Sequence, residues 1–429
     1  MGVPVAAAPP EPAAARRVGV PARRPRVLFV EQFYYPDGWG GAELPLDVTV
    51  HLARSGFDVE VICGTDQYAP LEGEPPPDPR LAGVRIRRIP ALLGGSIHRA
   101  KLLRQLWFYL ALIPLLLTRR PDAFVTQTNP PLAVILVVAA ARWRRRPAIV
   151  IAMDIYPEVL SAHGTLGGSG LAGAVLRRTF GWAYRHARRV VALGPVMGAR
   201  LEAKGVSAER IVEIPNWSTG APGRVTGAEN RLRSEWELED RFVLLYSGNL
   251  GLAHEFETLL QAVKAALPQV PALQLVFIGR GSRLQEVRRR VAELRLERSV
   301  RFSDLLPAQR LPESFGLAQL AVVTLQPAFS GLVVPSKLQG YMARGVPVLY
   351  IGPDSDIERF LLDSHGGVCL RCGDVRGVTE ALIALARDHA RLAQLAQNAQ
   401  QYYAQRFAAA LGLASYATLV RSVIDAGSG

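Results

Sequence analysis

Three clusters of residues in this chain are of the types that handle phosphate and hydroxyl chemistry. Pro335-Ser336-Lys337 opens a short helix that the pattern carries to about Arg344, with Gly345 at its stop and an apolar strand, Val346–Ile351, after it. A loop that feeds a helix N-terminus gathers unpaired N–H groups and the positive end of the helix dipole, and a lysine there adds a full charge, so the spot reads as a phosphate-type anion site. The alternative is an ordinary loop-helix-strand unit with a solvated lysine. Only four of the 50 Lys and Arg residues are lysine (Lys101, Lys204, Lys264, Lys337), so a lysine here goes against the chain's habit. Just upstream, Phe329-Ser330-Gly331 is a small-residue loop whose backbone, at Gly331, can approach a ligand closely.

The second cluster is Ser247-Gly248-Asn249-Leu250-Gly251, between a strand (Phe242–Tyr246) and a helix from about Glu255. Strand, glycine turn and helix again make an anion cradle, with His254 at the helix start in reach of a bound diphosphate or else facing water. The third is Asp154 and Glu158, immediately after the apolar strand Ala148–Met153, where polar residues line the cleft at the carboxyl ends of parallel strands. Glu158 also fits a helix-start carboxylate stabilised by the dipole.

These clusters need two β/α halves to hold them. Arg26–Glu31, the loop Gln32–Gly41, a helix over Ala42–Ser55 and the strand Val59–Cys63 form a mononucleotide-binding start, although GWGG at 38–41 is not the G-x-G-x-x-G of a dinucleotide fold. After the small-residue stretch 218–230 the strand-helix pattern restarts. At 429 residues two α/β domains are expected. We delimit a tail (1–25), an N-terminal domain (26–217), a linker (218–230), a C-terminal domain (231–400) and a last helix (401–429) that packs back towards the first domain.

Net charge is +13, but the basic residues are not interleaved with exposed aromatics and form no nucleic-acid motif, so anionic substrates or an anionic membrane surface are the expected partners. The run LWFYLALIPLLL (106–117) lies between Arg99, Lys101, Arg104 and Arg119, Arg120. A second run, 132–141, ends in RWRRR. Each is either a core helix or a membrane-facing one, and both are too short to span a bilayer. Cys369 and Cys372 form a lone C-x-x-C with no second pair and Cys63 ends an apolar strand, so all three read as structural or incidental, and such sparse usage fits a reducing cytoplasm.

As an ordered set, Tyr35-Pro36 with Gly40-Gly41, Thr128-Asn129-Pro130-Pro131, Asp154 to Glu158, Ile214-Pro215-Asn216-Trp217, the Ser247–Gly251 loop, Gly279-Arg280-Gly281 and Pro335-Ser336-Lys337 resemble the GT-B glycosyltransferases, within them the retaining family 4 and its bacterial fucosaminyl-transferase-like branch. The resemblance implies two Rossmann-like domains facing across a cleft. It implies a nucleotide diphosphate sugar, expected to be UDP-linked, in the C-terminal domain. A lipid-linked saccharide on a polyprenyl diphosphate would bind the N-terminal one, at the inner membrane face, without metal or cofactor. It places Gly40, Gly41, Gly248, Asn249, Arg280, Ser336 and the amides of Ser330, Gly331 and Leu332 around the donor phosphates, Leu305 at the base, and Asn129, Asp154 and Glu158 at the acceptor. Where the family has an arginine and a lysine after the first C-domain strand, this chain has Asn249 and His254. Where it has two glutamates, this chain has Leu332 and Gly340. Lys337 and His254 then take the cationic role, Asp154 completes the catalytic set, and Glu358 is assigned the ribose. A non-catalytic nucleotide-sugar or membrane-binding scaffold of the same fold is the alternative, motivated by the missing glutamates.

Overall fold

The computed structural model describes residues 23–36, 43–65, 78–91, 101–164, 170–219, 224–226 and 229–427; positions 1–22 of the expected tail, and Gly40 and Gly41, lie outside them. Strands such as β1 (Arg26–Val30), β4 (Ala123–Gln127) and β5 (Ala148–Ile151) are apolar without alternation because helices cover both faces of their sheet. With β2 (Asp58–Gly64), β3 (Val84–Ile89), β6 (Arg189–Ala192) and β7 (Ile211–Glu213) they form a seven-stranded parallel sheet in the order β3-β2-β1-β4-β5-β6-β7. The second sheet is also parallel, ordered β10-β9-β8-β11-β12-β13: β8 Phe242–Ser247, β9 Leu273–Ile278, β10 Val300–Ser303, β11 Leu320–Thr324, β12 Val348–Ile351, β13 Gly367–Leu370. Strand order reverses between β1 and β4 in one sheet and between β8 and β11 in the other, which opens a crevice at the carboxyl ends of both pairs. The architecture is the expected pair of α/β domains.

Helices α1 (Glu43–Arg54), α2 (Lys101–Thr118), α3 (Ala133–Trp143), α4 (Glu158–Ala162), α5 (Leu171–His186) and α6 (Pro195–Ala203) belong to the first domain. The second carries α7 (Arg231–Glu235), α8 (Glu257–Ala266), α9 (Leu284–Glu293), α10 (Leu311–Gly316), α11 (Lys337–Ala343), α12 (Asp356–Ser364), α13 (Val375–Arg387) and α14 (His389–Tyr402). The last helix, α15 (Ala409–Asp425), packs on α1. Its Tyr416, Leu419, Val420 and Val423 join the first domain's core, the Tyr416 ring meets Trp217 edge-on at 6.2 Å, and Arg421 donates to the Ser55 carbonyl. The helical run His389–Asp425 is long and apolar enough to cross a bilayer by composition, and here part of its apolar surface is buried against the chain itself.

The two apolar runs part company. α3 buries Val134, Val137 and Val138 completely. α2 buries Phe108, Leu112 and Leu116 but leaves Leu102, Leu103, Leu106, Leu110, Ile113 and Leu117 in solvent, a second apolar stripe on its outer side.

The domains meet through the loop after β11. Ile155 N–H donates to the Leu332 carbonyl at 2.9 Å, Asp154 and Val333 form an antiparallel bridge, and the Phe329 ring packs on His163 at 5.0 Å. Gly331 has a positive φ of 66°, and a Cβ there would lie 2.8 Å from Arg200 Cγ on α6. Its close approach is therefore to the other domain and not to a ligand, correcting the sequence expectation. Nearby, the fully buried Asp356 accepts from Val196 N–H (2.7 Å) and Met197 N–H (3.1 Å), so a carboxylate of the second domain caps α6 of the first. Burial pushes this carboxyl up to about 6.

Asp356→Ala removes the cap and is expected to cost about 0.5–2 kcal/mol of stability in chemical denaturation. A Cβ at Gly194 would collide with Asp356 Oδ1 and sit 2.9 Å from Phe360 Cζ. Gly194→Ala is therefore expected to destabilise by about 1–3 kcal/mol, and the double variant by less than the two effects added, because Asp356→Ala clears part of the space.

Candidate functional site

Lys337 is the first residue of α11, directly after Ser336 at the N-cap position. Its ammonium donates to the Asn249 carbonyl at 3.1 Å and to His254 Nε2 at 2.9 Å, and stands 4.9 Å over the Tyr246 ring. His254 Nδ1 lies 2.7 Å from the Thr324 carbonyl, which only accepts, so Nδ1 carries the hydrogen and Nε2 is a bare acceptor. Burial, reinforced by the Lys337 charge, pushes the imidazole down to about 3. His254 is thus neutral and orients the lysine; it is not the second cation that the sequence suggested. Burial likewise lowers Lys337 itself, to about 7.

The cradle around the ammonium follows from local sequence. Gly248 adopts φ 126°, and a Cβ there would come within 2.9 Å of Lys337 Cε, so only glycine meets both the backbone and the space requirement. Tyr246 Oη donates to the same Asn249 carbonyl at 2.8 Å, and Ser247 N–H donates to Tyr341 Oη at 2.7 Å. Arg283 donates to the His254 carbonyl and fixes the turn from behind. This corner opens on a cavity of about 270 Å³ between the domains, bounded by Gly248, Ser336, Lys337, Gly340, Phe315 and Arg344 on the second-domain side. Arg344, over the Phe315 ring at 4.2 Å, donates to Ser218 Oγ and the Gly340 carbonyl. Two cations and, among the described lining residues, no carboxylate make it an anion site.

A second cavity, of about 590 Å³, lies at the carboxyl ends of β1, β4, β5 and β7, where Gln32, Gln127, Asn129, Asp154 and Asn216 form a polar floor and Tyr109, Tyr156 and Phe180 stand as walls. Met153, Asn216 and Ser336 line both cavities, so the two adjoin. The Met153 and Asp154 N–H groups both donate to Thr128 Oγ1 at 3.0 Å, which sets the turn that presents Asp154. Its carboxyl is raised by burial to about 6 and has no hydrogen-bonding partner among the described residues. It is poised to accept from a ligand hydroxyl.

The sequence-predicted residues divide accordingly. Lys337, Ser336 and Gly248 come together at the first cavity, Asn249 reaches it only through the carbonyl that accepts from Lys337, and Asn129 and Asp154 line the second. Glu158 does not join them: it pairs with Lys204 at 2.5 Å and lines neither cavity, so its helix-start alternative holds. Glu358 is held by Arg371 at 2.7 Å, away from both cavities, and is corrected as a ribose ligand. The Ser330 and Leu332 amides are occupied by the Pro327 and Phe329 carbonyls, and Ser330 Oγ donates to Asp354, so they do not face a phosphate. Arg280 and Leu305 are exposed on the loops that follow β9 and β10. Gln32, Gln127, Asn216 and Arg344 went unassigned from sequence, although the strand-end placement that singled out Asp154 also applies to Gln127.

Comparison with known proteins agrees with this geometry. Residues 40–217 match the model described as glycosyl transferase 4-like domain, and residues 229–402 match glycosyl transferases group 1. The chain is 29% identical over 238 residues to the probable glycosyltransferase WbjE of Pseudomonas aeruginosa, covering 54% of this chain and 58% of that protein. It is 27% identical over 251 residues to the GDP-mannose-dependent alpha-(1-6)-phosphatidylinositol monomannoside mannosyltransferase of Mycolicibacterium smegmatis, covering 55% and 63%. The matches therefore span about three-fifths of these relatives' length. Among solved structures, Anabaena HepE with UDP and glucose superimposes with a TM-score of 0.67 at 19% identity, over 93% of this chain and 100% of that one. With both halves of the chain matched and the two-domain architecture shared, the chain belongs to the GT-B glycosyltransferases, as a 4-like N-terminal domain joined to a group 1 C-terminal domain.

Proposed function

We propose that this chain transfers a sugar, with retention of configuration, from a nucleotide diphosphate sugar to a lipid-linked saccharide at the inner face of the cell membrane. The observation that carries this reading is the pair of adjoining cavities, one cationic around Lys337 and one polar-floored around Asp154. The family assignment supports the reaction class, HepE's complex with UDP supports a UDP-linked donor, and the mycobacterial relative's name supports a glycolipid acceptor.

In the reaction the acceptor oxygen bonds to the anomeric carbon as that carbon's bond to the β-phosphate oxygen breaks. The hydroxyl proton passes to the departing phosphate oxygen on the same face. The Lys337 ammonium, Arg344 and the α11 N-terminus neutralise charge on the leaving diphosphate, a preorganised electrostatic term. Asp154 accepts a hydrogen bond from the acceptor hydroxyl and aligns it. A lysine placed at the phosphates motivates a metal-independent mechanism, and chelation by EDTA is expected to leave turnover unchanged.

Membrane contact is assigned to the outer stripe of α2, with Arg119 and Arg120 just beyond its end and, on α3, Trp143, 67% exposed, followed by Arg144–Arg146. Leucines in solvent beside arginines suit a surface that inserts side chains under anionic headgroups.

A thermal-shift panel of UDP, GDP, CDP and dTDP is expected to give its largest shift with UDP; no response to any of them would sink the donor assignment. Lys337→Met is expected to lower kcat about 10²-fold. The profile of kcat/KM against pH is expected to be a narrow bell: activity is lost below about 6 as Asp154 gains its proton, and above about 7 as Lys337 loses its own. Lys337→Arg should carry the alkaline limb upward, and an unmoved limb would remove Lys337 from the mechanism. Binding to anionic vesicles should persist at high salt and fall about tenfold or more in the triple variant Leu103→Ser, Leu110→Ser, Leu117→Ser, whose melting temperature stays unchanged because those side chains are already in water.

A further inference from the structure

The second domain holds another cleft, of about 430 Å³, that shares no lining residue with the two cavities above. Gln319 and Pro347 line it and immediately precede β11 and β12, so it lies at the amino ends of these strands, opposite the end that holds Lys337. α10 stands between the two sites: Leu311 and Phe315 line the Lys337 cavity, and the next residue, Gly316, lines this one. One wall is a piece of the linker, and that piece is fixed. Val225 N–H donates to the Pro312 carbonyl at 3.1 Å, and the Val225 carbonyl accepts from Asn230 Nδ2 at 2.9 Å. A Cβ at Gly316 would collide with that carbonyl, so only glycine lets the linker come this close. Arg224 and Thr226 flank the pinned residue and both line the cleft. Another wall is one face of α14, where His389, Leu392, Ala393 and Ala396 follow helical spacing.

The polar groups around the cleft are mostly donors. Arg233 is held by the carbonyls of Leu317, Glu239 and Arg241 at 2.9, 3.2 and 2.8 Å, and Arg224 makes one long contact, 3.4 Å, to the Ala318 carbonyl. Neither pairs with a carboxylate among the described residues; Glu239 and Asp240 act on Arg233 only through space. Gln319 Oε1 accepts from Val243 N–H at 2.8 Å, which leaves its amide NH₂ as a donor. Asp388, beside His389, is turned to its own helix, where it accepts from Arg391 N–H at 2.8 Å. No carboxylate lines the cleft among the described residues. Two guanidiniums without a countercharge suit a ligand that only accepts, and phosphate oxygens match their planar forks. The volume is in the range that encloses a small organic ligand, and Leu392, Ala393 and Ala396 supply an apolar wall for its uncharged part.

We propose that this cleft is a second oxyanion site, separate from the Lys337 cavity, which takes a small soluble phosphate monoester with its phosphate at Arg224 and Arg233 and its organic part against α14. The exposed apolar stripe of α2 belongs to the first domain, whereas every described residue lining this cleft comes from the linker or the second domain, so a soluble ligand suits it better than a lipid headgroup. The proposal does not depend on the transferase reading.

Phenyl phosphate is the probe, titrated by calorimetry into the full-length protein at constant ionic strength. The Lys337→Met variant, which lacks the ammonium of the first site, is expected to bind it one to one. Adding Arg224→Gln should weaken that binding about tenfold, as expected for the loss of a charge-assisted donor. Adding Arg376→Gln instead, at a 90% exposed arginine on α13, should leave it unchanged. Unaltered affinity with Arg224→Gln overturns the proposal, and so does an equal loss with Arg376→Gln, which would mark general surface charge. Arg224 is exposed, so its replacement is expected to fold. If Arg224→Gln nevertheless lowers the melting temperature, Arg224→Lys decides: it keeps the charge without the planar fork and should cost about threefold, and no loss overturns the proposal. Monomeric dihexanoyl phosphatidic acid binding more than tenfold tighter than phenyl phosphate would overturn the soluble ligand. The UDP thermal shift is read separately, so its failure counts against the donor reading and not against this cleft.

Discussion

The stretch from Gln326 to Lys337 is gripped by both domains, and the location of the site depends on that grip. Its first part is docked on α4, α6 and the turn after β5, through the Leu332 carbonyl, the Asp154–Val333 bridge and the Phe329–His163 contact. Its last part delivers Lys337 under the Gly248 loop. A single short segment thus ties the carboxyl end of β5 to the start of α11. The polar floor of one domain and the cation of the other share a boundary at Met153, Asn216 and Ser336 for that reason. Asp356, capping α6 across the same interface, adds a charged hydrogen-bonded contact where apolar packing alone would allow sliding.

Around Lys337 the protein works against its own solvation. Removing an ammonium from water lowers its affinity for a proton, and here burial brings it to about 7. The compensating contacts are neutral: a carbonyl, an imidazole nitrogen and an aromatic face. None cancels the charge, as a carboxylate partner would. An anion entering the cavity therefore meets a positive charge that is poorly solvated and unneutralised, the condition under which a cation contributes most to binding a developing negative charge. His254 belongs to this arrangement by being neutral, since a protonated imidazole 2.9 Å from the ammonium would repel it.

α2 inverts the usual economy of a surface helix. One face fills the core with Phe108, Leu112 and Leu116, and the other leaves leucines in water. Exposed single leucines are ordinary, but a run of them along one helix that also forms the wall of a cavity is a continuous surface, and apolar surfaces of that kind mark contact sites. The stripe and the cavity are one feature seen from outside and from inside.

Much of this was legible from the residues in order. Unbroken apolar strands, glycine-marked turns and the restart after 218–230 define two doubly wound halves because those signals act over a few neighbouring residues. Lys337 at a helix start and Asp154 at a strand end were found by the same local rules. What tertiary structure alone decided is partnership. Glu158 and Glu358 look like site carboxylates until the fold brings Lys204, 46 positions away, to the first and Arg371, just after β13, to the second. Gly331 looks like a ligand contact until α6 occupies the space beside it, and His254 looks like a cation until Thr324 and Lys337 fix its hydrogen. The two apolar runs are alike in composition, yet the fold buries most of the apolar residues of one and leaves a full stripe of the other in solvent. Charge and burial depend on which side chains meet across the fold, and that depends on contacts between residues tens to hundreds of positions apart, which local pattern does not encode.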